Sequence, residues 1–222
     1  MIDGLEVVRH PRARRMRLSV DPASGLVRLT LPPRGSKRDG LAWAASKREW
    51  IEAQRARLPR AVPFMPGAVI PFGDGDLTLE WRSGAARTPV REGDRLVVGG
   101  PVEGFGSRIE RWLKREALAV LTAETLAIAG RAGVSIDRVA IGDPRARWGS
   151  CSAGGAIRYS WRLILSPGHV RRFVVAHEVA HRRHMNHGAA FHALERELLG
   201  ADPRPATAWL RRYGAGLHWL GK

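Results

Sequence analysis

The stretch His177–His187 reads His-Glu-Val-Ala-His-Arg-Arg-His-Met-Asn-His, and it restricts the possible folds more than any other segment. On a helix, His177 and His181 stand four apart on one face, where both can aim an imidazole nitrogen at a single ion, with Glu178 beside them. The flanking residues Phe173, Val174, Val175, Ala176, Val179 and Ala180 are small or apolar. Three polar groups set in such a segment need partners, and a shared metal ion satisfies them together. The chain is therefore expected to place a helix against its core with a polar site on one face.

A third ligand is sought nearby. His184 lies on the same face if the helix continues, but it stands roughly 10 Å along the axis from His177, too far to close a compact site. His187 follows His181 after five intervening residues, the interval of the metzincin pattern. To use it the chain must turn back over 184 to 188, where Asn186 and Gly188 suit a turn and His184 is expected to tolerate a left-handed backbone. Glu195 and Glu197 stand as alternative ligands. No methionine follows Met185, so the downstream methionine turn of metzincins is missing and only the ligand spacing is shared. Zinc held by three protein ligands keeps a fourth position for water, which a neighbouring carboxylate can deprotonate. The expected centre is one Zn2+ per chain on His177, His181 and His187, with Glu178 as general base.

The segment Arg147-Trp148-Gly149-Ser150-Cys151, then Tyr159 to Leu165, then His177 to His187 with Phe191, resembles the YgjP-like metallopeptidase domain, a relative of the SprT-like zinc proteases. The motif-rich part spans about residues 145 to 200, and the Arg14-Arg15 and Trp50-Ile51 segments are also similar to that family's N-terminal portion. The resemblance implies zinc on the residues matching His177, His181 and His187, with Glu178 as base. It implies hydrolysis more firmly than peptide substrates, since a nucleotide pyrophosphatase activity is also attributed within the group. Two departures are Ser160, where Asn is expected before Trp161, and His192, where Trp is expected after Phe191.

Composition narrows the class. With a single Cys among 222 residues no intrachain disulfide can form, which agrees with a reducing cytoplasm. No run of 18 apolar residues and no secretory leader is evident, so neither a membrane span nor export is expected, and the expected location is cytoplasmic. The formal charge of +16 attracts polyanions, but 33 of the 37 basic residues are Arg, and they are spread along a chain rich in Ala and Gly. Possible polyanion or nucleotide contact through arginines is therefore a secondary expectation.

Along the chain, strands are expected at Leu5–Val8, Met16–Val20 and Leu26–Leu31, then one helix from Ser36 to Leu58. Short strands follow at 69–72, 77–81 and 96–98, with Gly73-Asp74-Gly75-Asp76 read as a turn and Gly99–Gly106 as a linker. Ser107–Gly130 has the strongest helical pattern. A strand at 134–141, a loop at 143–149 and an alternating strand at 157–165 precede the metal helix, which Ser166 caps and Pro167 opens. By analogy with zincins, the 157–165 strand is expected to bear a substrate backbone by edge pairing. Helices at 189–199 and 205–213 close the chain. The expected class is α+β, with a β-rich region at 1–104 and a zincin-like domain at 105–222.

The pattern supports a zinc-dependent hydrolase acting on peptides or proteins. A metal-dependent nucleoside triphosphate pyrophosphatase on the same site, and a nucleic-acid-associated protein with a structural zinc, are its rivals. Arg145, Arg147, Tyr159, His184 and His192 are candidate oxyanion donors. Cys151 reads as a packing residue.

Overall fold

A computed structural model describes residues 2–222. Its six helices and three small mixed sheets make an α+β fold. The chain divides into two compact units, Met1–Arg60 and Ala61–Lys222.

In the first unit, β1 (Leu5–Arg9) runs parallel to β3 (Val27–Leu31), and β2 (Arg17–Val20) pairs antiparallel to β3 on its other side. Val27, Leu29 and Leu31 alternate inward and are buried. The single helix expected over 36–58 is two, α1 (Lys37–Ser46) and α2 (Arg48–Arg55). Ser36 does cap α1, its hydroxyl accepting from the Asp39 N–H. Lys47, however, leaves helical geometry at φ −100° and ψ 17°, breaking the run.

The second unit holds everything from Ala61 onward. β4 (Val69–Phe72), β5 (Gly75–Trp81), β6 (Val90–Glu92) and β7 (Arg95–Val98) form a sheet in the order β4-β5-β7-β6. Its buried Ile70, Leu77, Leu79, Leu96 and Val98 share one core with Phe105, Ile109 and Leu113 of the long helix α3 (Phe105–Ala132). The division expected at 104/105 therefore does not separate two compact units, because the sheet before it has no core of its own. Nor is 99–106 a free linker: it contains a 3-10 turn at Val102–Gly104 and the start of α3. α3 ends at Gly133, whose φ of 61° is the left-handed cap that glycine adopts most readily.

β8 (Arg138–Gly142), β9 (Gly149–Cys151) and β10 (Ala156–Ser160) make the third sheet, in the order β8-β10-β9. The strand expected over 157–165 stops at Ser160. Its hydroxyl accepts from the Arg162 N–H and starts a 3-10 turn over Trp161–Leu165. β10 is also the central strand, paired on both sides, so it offers no free edge for a substrate. The remaining helices are α4 (Gly168–Ala180), α5 (Ala189–Leu199) and α6 (Arg204–Leu217). An Arg171–Glu124 ion pair at 2.8 Å ties α4 to α3, and the Tyr159 hydroxyl meets Thr125 at 3.0 Å.

Candidate metal centre

The start of α4 is fixed from the neighbouring sheet. Ser166 does not cap it; its hydroxyl donates to the Leu163 carbonyl, and Pro167 holds the N-cap position without a side-chain bond. Asp74, in the turn between β4 and β5, accepts from the Gly168 N–H at 2.8 Å instead. A carboxylate there satisfies a free amide and complements the positive end of the helix. The acidic turn thus seats the metal helix.

At the other end, His177 lies in the last turn of α4 and His181 is its C-cap. The chain then reverses over 182–188 and brings His187 back. Ligand nitrogens of His177, His181 and His187 all lie within 4.8 Å of one another, so these three could hold one metal ion. His177 Nε2 and His187 Nε2 are 3.3 Å apart. Two nitrogens about 2.0–2.1 Å from a tetrahedral ion are about 3.3–3.4 Å apart, so this spacing fits an edge of a zinc tetrahedron. The reversal needs no left-handed residue at 184, because no residue other than glycine has positive φ among those described.

Two of the three imidazoles are oriented from behind. His177 Nδ1 meets Glu195 Oε1 at 2.7 Å, and His181 Nδ1 meets the His184 carbonyl at 3.1 Å. With protons on those Nδ1 atoms, both Nε2 lone pairs face the ion position. Glu195 therefore stands behind His177, and Glu197 is exposed on α5; the cluster contains neither. His184 contributes only its backbone oxygen. The fully buried Phe191 ring lies 5.0, 4.6 and 4.7 Å from the His177, His181 and His187 ring centroids, an apolar floor common to all three. Burial pushes the His181 pKa down, favouring the neutral ring that a metal requires. Burial works against ionised Glu195, but its bonds with His177 and His192 outweigh this and hold its carboxyl below the usual range.

Glu178 is 5% exposed, and its Oε2 has no hydrogen-bond partner. Burial pushes its pKa up to about 7, opposed in part by His177 and Arg147. Its side chain lies over Gly149 of β9: a β-carbon built there would sit 2.8 Å from the Glu178 carboxyl carbon. The glycine of the Arg-Trp-Gly-Ser-Cys run is thus what leaves room for the carboxylate. This role was not legible from the motif alone, which gives no sign that β9 lies against α4.

Two cavities flank His177. One of about 210 Å³ is lined by Arg147, Trp148, Gly149, Phe173, Glu178 and Leu210 among others. The other, of about 480 Å³, includes Phe173, His192, Glu195, Thr207 and Arg211. Of the five candidate donors, Arg147 alone shares the first cavity with Glu178. Tyr159 is wholly buried against Thr125, and burial raises its pKa far above the usual phenol value. His192 bonds Glu195 at 3.3 Å. Arg145 lines neither cavity. Cys151 stands outside the ligand group, half-buried, with its thiol pKa raised by burial. Ser160, the first departure from the family pattern, is buried; its N–H donates to the Trp148 carbonyl and it starts the 3-10 turn.

A helix that carries two histidines, a third returned by a reversal, and a buried carboxylate between the pair make a cluster that could hold one metal ion. The chain belongs to the YgjP-like family: the model of its metallopeptidase domain matches residues 14–213. No curated protein and no solved structure shows a match. Among the described residues no helix is long and apolar enough to cross a membrane.

Proposed function

We propose that the protein is a zinc-dependent hydrolase that cleaves peptide bonds, with His177, His181 and His187 as ligands and Glu178 as general base. The observation carrying this reading is the pairing of the three-histidine cluster with a buried carboxylate whose Oε2 has no partner within the protein. Three neutral imidazoles suit zinc, and an ion held by three ligands leaves a position for a reactant. Bound there, zinc supplies Lewis acidity, lowering the pKa of a water and polarising a carbonyl.

The remaining steps belong to the chain. Glu178 Oε2 takes the water's proton and later returns it to the leaving amine; a pKa near 7 suits both directions of transfer. Glu195 keeps the His177 proton on Nδ1. Arg147, in the same cavity as Glu178, is placed to stabilise an oxyanion. β8 and β9 are the edges of that sheet, and of the two it is β9 that lies against Glu178 of α4, so an extended substrate backbone would pair there.

A second reading, hydrolysis of a nucleoside triphosphate on the same site, is favoured by Arg147 in one flanking cavity and Arg204 and Arg211 in the other. A structural zinc is disfavoured because the cluster has three members and no Cys. The test uses metal-loaded protein with an unfolded protein substrate and, separately, nucleoside triphosphates. Peptide cleavage that Glu178→Gln abolishes while metal content stays at one per chain supports the first reading. Release of pyrophosphate without proteolysis supports the second, and a fully active Glu178→Gln overturns the role given to that residue.

A further inference from the structure

The first turn of α3 borders another cavity, of about 480 Å³, lined by Arg87, Arg108, Arg111 and Arg115 together with Thr88 and Gly104, and containing no carboxylate. Among the described residues none of the four arginines is ion-paired: Glu110 is taken by Lys114, and exposed Glu103 pairs with none of them. Long helical side chains lean toward the N-terminus, so Arg108, Arg111 and Arg115 bring their charge toward the positive end of α3. No side chain caps that end at Gly104. Four cations and a helix dipole of the same sign repel one another unless an anion offsets them.

Arg108 is more than nine-tenths buried. Its Nη2 donates to the Pro101 carbonyl at 2.6 Å, and its buried Nε has no acceptor. Glycines give the arginines room: a β-carbon at Gly104 would lie 2.8 Å from Arg108 Nη1, and one at Gly100 would lie 2.9 Å from Arg87 Cγ. A buried guanidinium with an unmet donor, held beside three others, has the donors and the charge that an anion needs. From Arg108 to Ala132, whose carbonyl accepts from Arg183 just past His181, α3 runs about 36 Å at 1.5 Å per residue. The cavity is therefore separate from the metal centre.

We propose that this cavity binds a small polyphosphate anion. Arg108, Arg111 and Arg115 span about 10 Å of helix, the reach of a short chain of linked phosphates, and Arg87 adds a fourth cation to the lining. The four positive charges offset most of the negative charge of a triphosphate group, and guanidinium forks bind phosphate oxygens in pairs. The same phosphate chemistry could come from a nucleic-acid backbone, but four arginines gathered around one cavity fit a short free anion better than a continuous strand.

The test is calorimetric titration of the chelator-treated full chain with tripolyphosphate at fixed ionic strength, which keeps the metal centre out of the readout. Saturable binding of one anion per chain is expected. It should weaken at least about tenfold in Arg87→Ala combined with Arg111→Ala, both exposed positions, and be unchanged in Arg14→Ala combined with Arg15→Ala. Equal affinity in the Arg87/Arg111 variant, no saturable binding by the wild type, or binding through these arginines of a single-stranded oligonucleotide but not of tripolyphosphate would each overturn it.

Discussion

Glu178 and Gly149 interlock: the side chain of the first occupies the space where the second would carry a β-carbon, 2.8 Å from the carboxyl carbon. Gly149 is not among the positive-φ glycines, so its backbone is one that alanine can adopt and only the contact forbids a side chain. Gly149→Ala is therefore expected to displace the carboxylate without removing a ligand. Hydrolysis should fall by at least about tenfold while metal content stays at one per chain. Unchanged kcat/KM would show that Glu178 has no fixed position to lose.

The raised pKa of Glu178 gives a stability signature in metal-free protein. Its folded value, about 7, lies above the ordinary 4.5, so folding favours the protonated form. Its contribution is fully present below pH about 4.5 and is lost as pH rises through about 7, with an upper limit of about 3 kcal/mol. Glu178→Gln removes the titration. Urea unfolding of both chelated proteins from pH 4.5 to 8 should show the variant gaining on the wild type as pH rises. Parallel curves would mean that the carboxyl is not buried as described.

Glu195 and His187 should separate support from ligation. Removing the Glu195 carboxylate frees the His177 ring to turn or change tautomer, which typically costs about 10- to 100-fold in metal affinity. Removing His187 takes away one of the three proposed ligands and should cost more. Competition with a metallochromic chelator ranks Glu195→Gln and His187→Ala. A larger loss for Glu195→Gln would make Glu195 the ligand and His187 the auxiliary.

The sequence exposed what is local and periodic. Histidines four apart, an apolar helix around them and the interval to His187 are short-range signals, and the structure brings those three side chains together. It could not show which partner meets a residue from far along the chain. Ser166 looks like a cap until Asp74, 94 residues upstream of the Gly168 amide, is found performing that task. Residues 157–165 alternate as a strand should, yet only the first four do so as strand: Trp161, Arg162, Leu163, Ile164 and Leu165 are all buried in a 3-10 turn, where period-two alternation no longer applies. The unit boundary was misplaced for a similar reason. Gly99–Gly106 has the composition of a linker, but whether a sheet owns its core depends on α3, which lies beyond it.

Arg162 shows how strongly such distant pairings hold the site's surroundings. It is buried beside Trp161, its Nε and Nη2 meet the Asp143 carboxylate at 2.8 and 3.0 Å, and its Nη1 donates to the Leu217 and Leu220 carbonyls at 2.6 and 2.9 Å. One guanidinium thus joins the end of β8, the 3-10 turn and the C-terminal segment. Truncation leaves two carbonyls and a half-exposed carboxylate without their donor, whereas Lys can reach only part of this planar arrangement. Arg162→Met is expected to lower unfolding free energy by about 2 to 3 kcal/mol, with Arg162→Lys recovering only part of it. Because none of the three histidines touches Arg162, metal content of the folded fraction should stay at one per chain. Denaturant unfolding together with metal analysis checks both statements, and a loss of metal without loss of stability would contradict them.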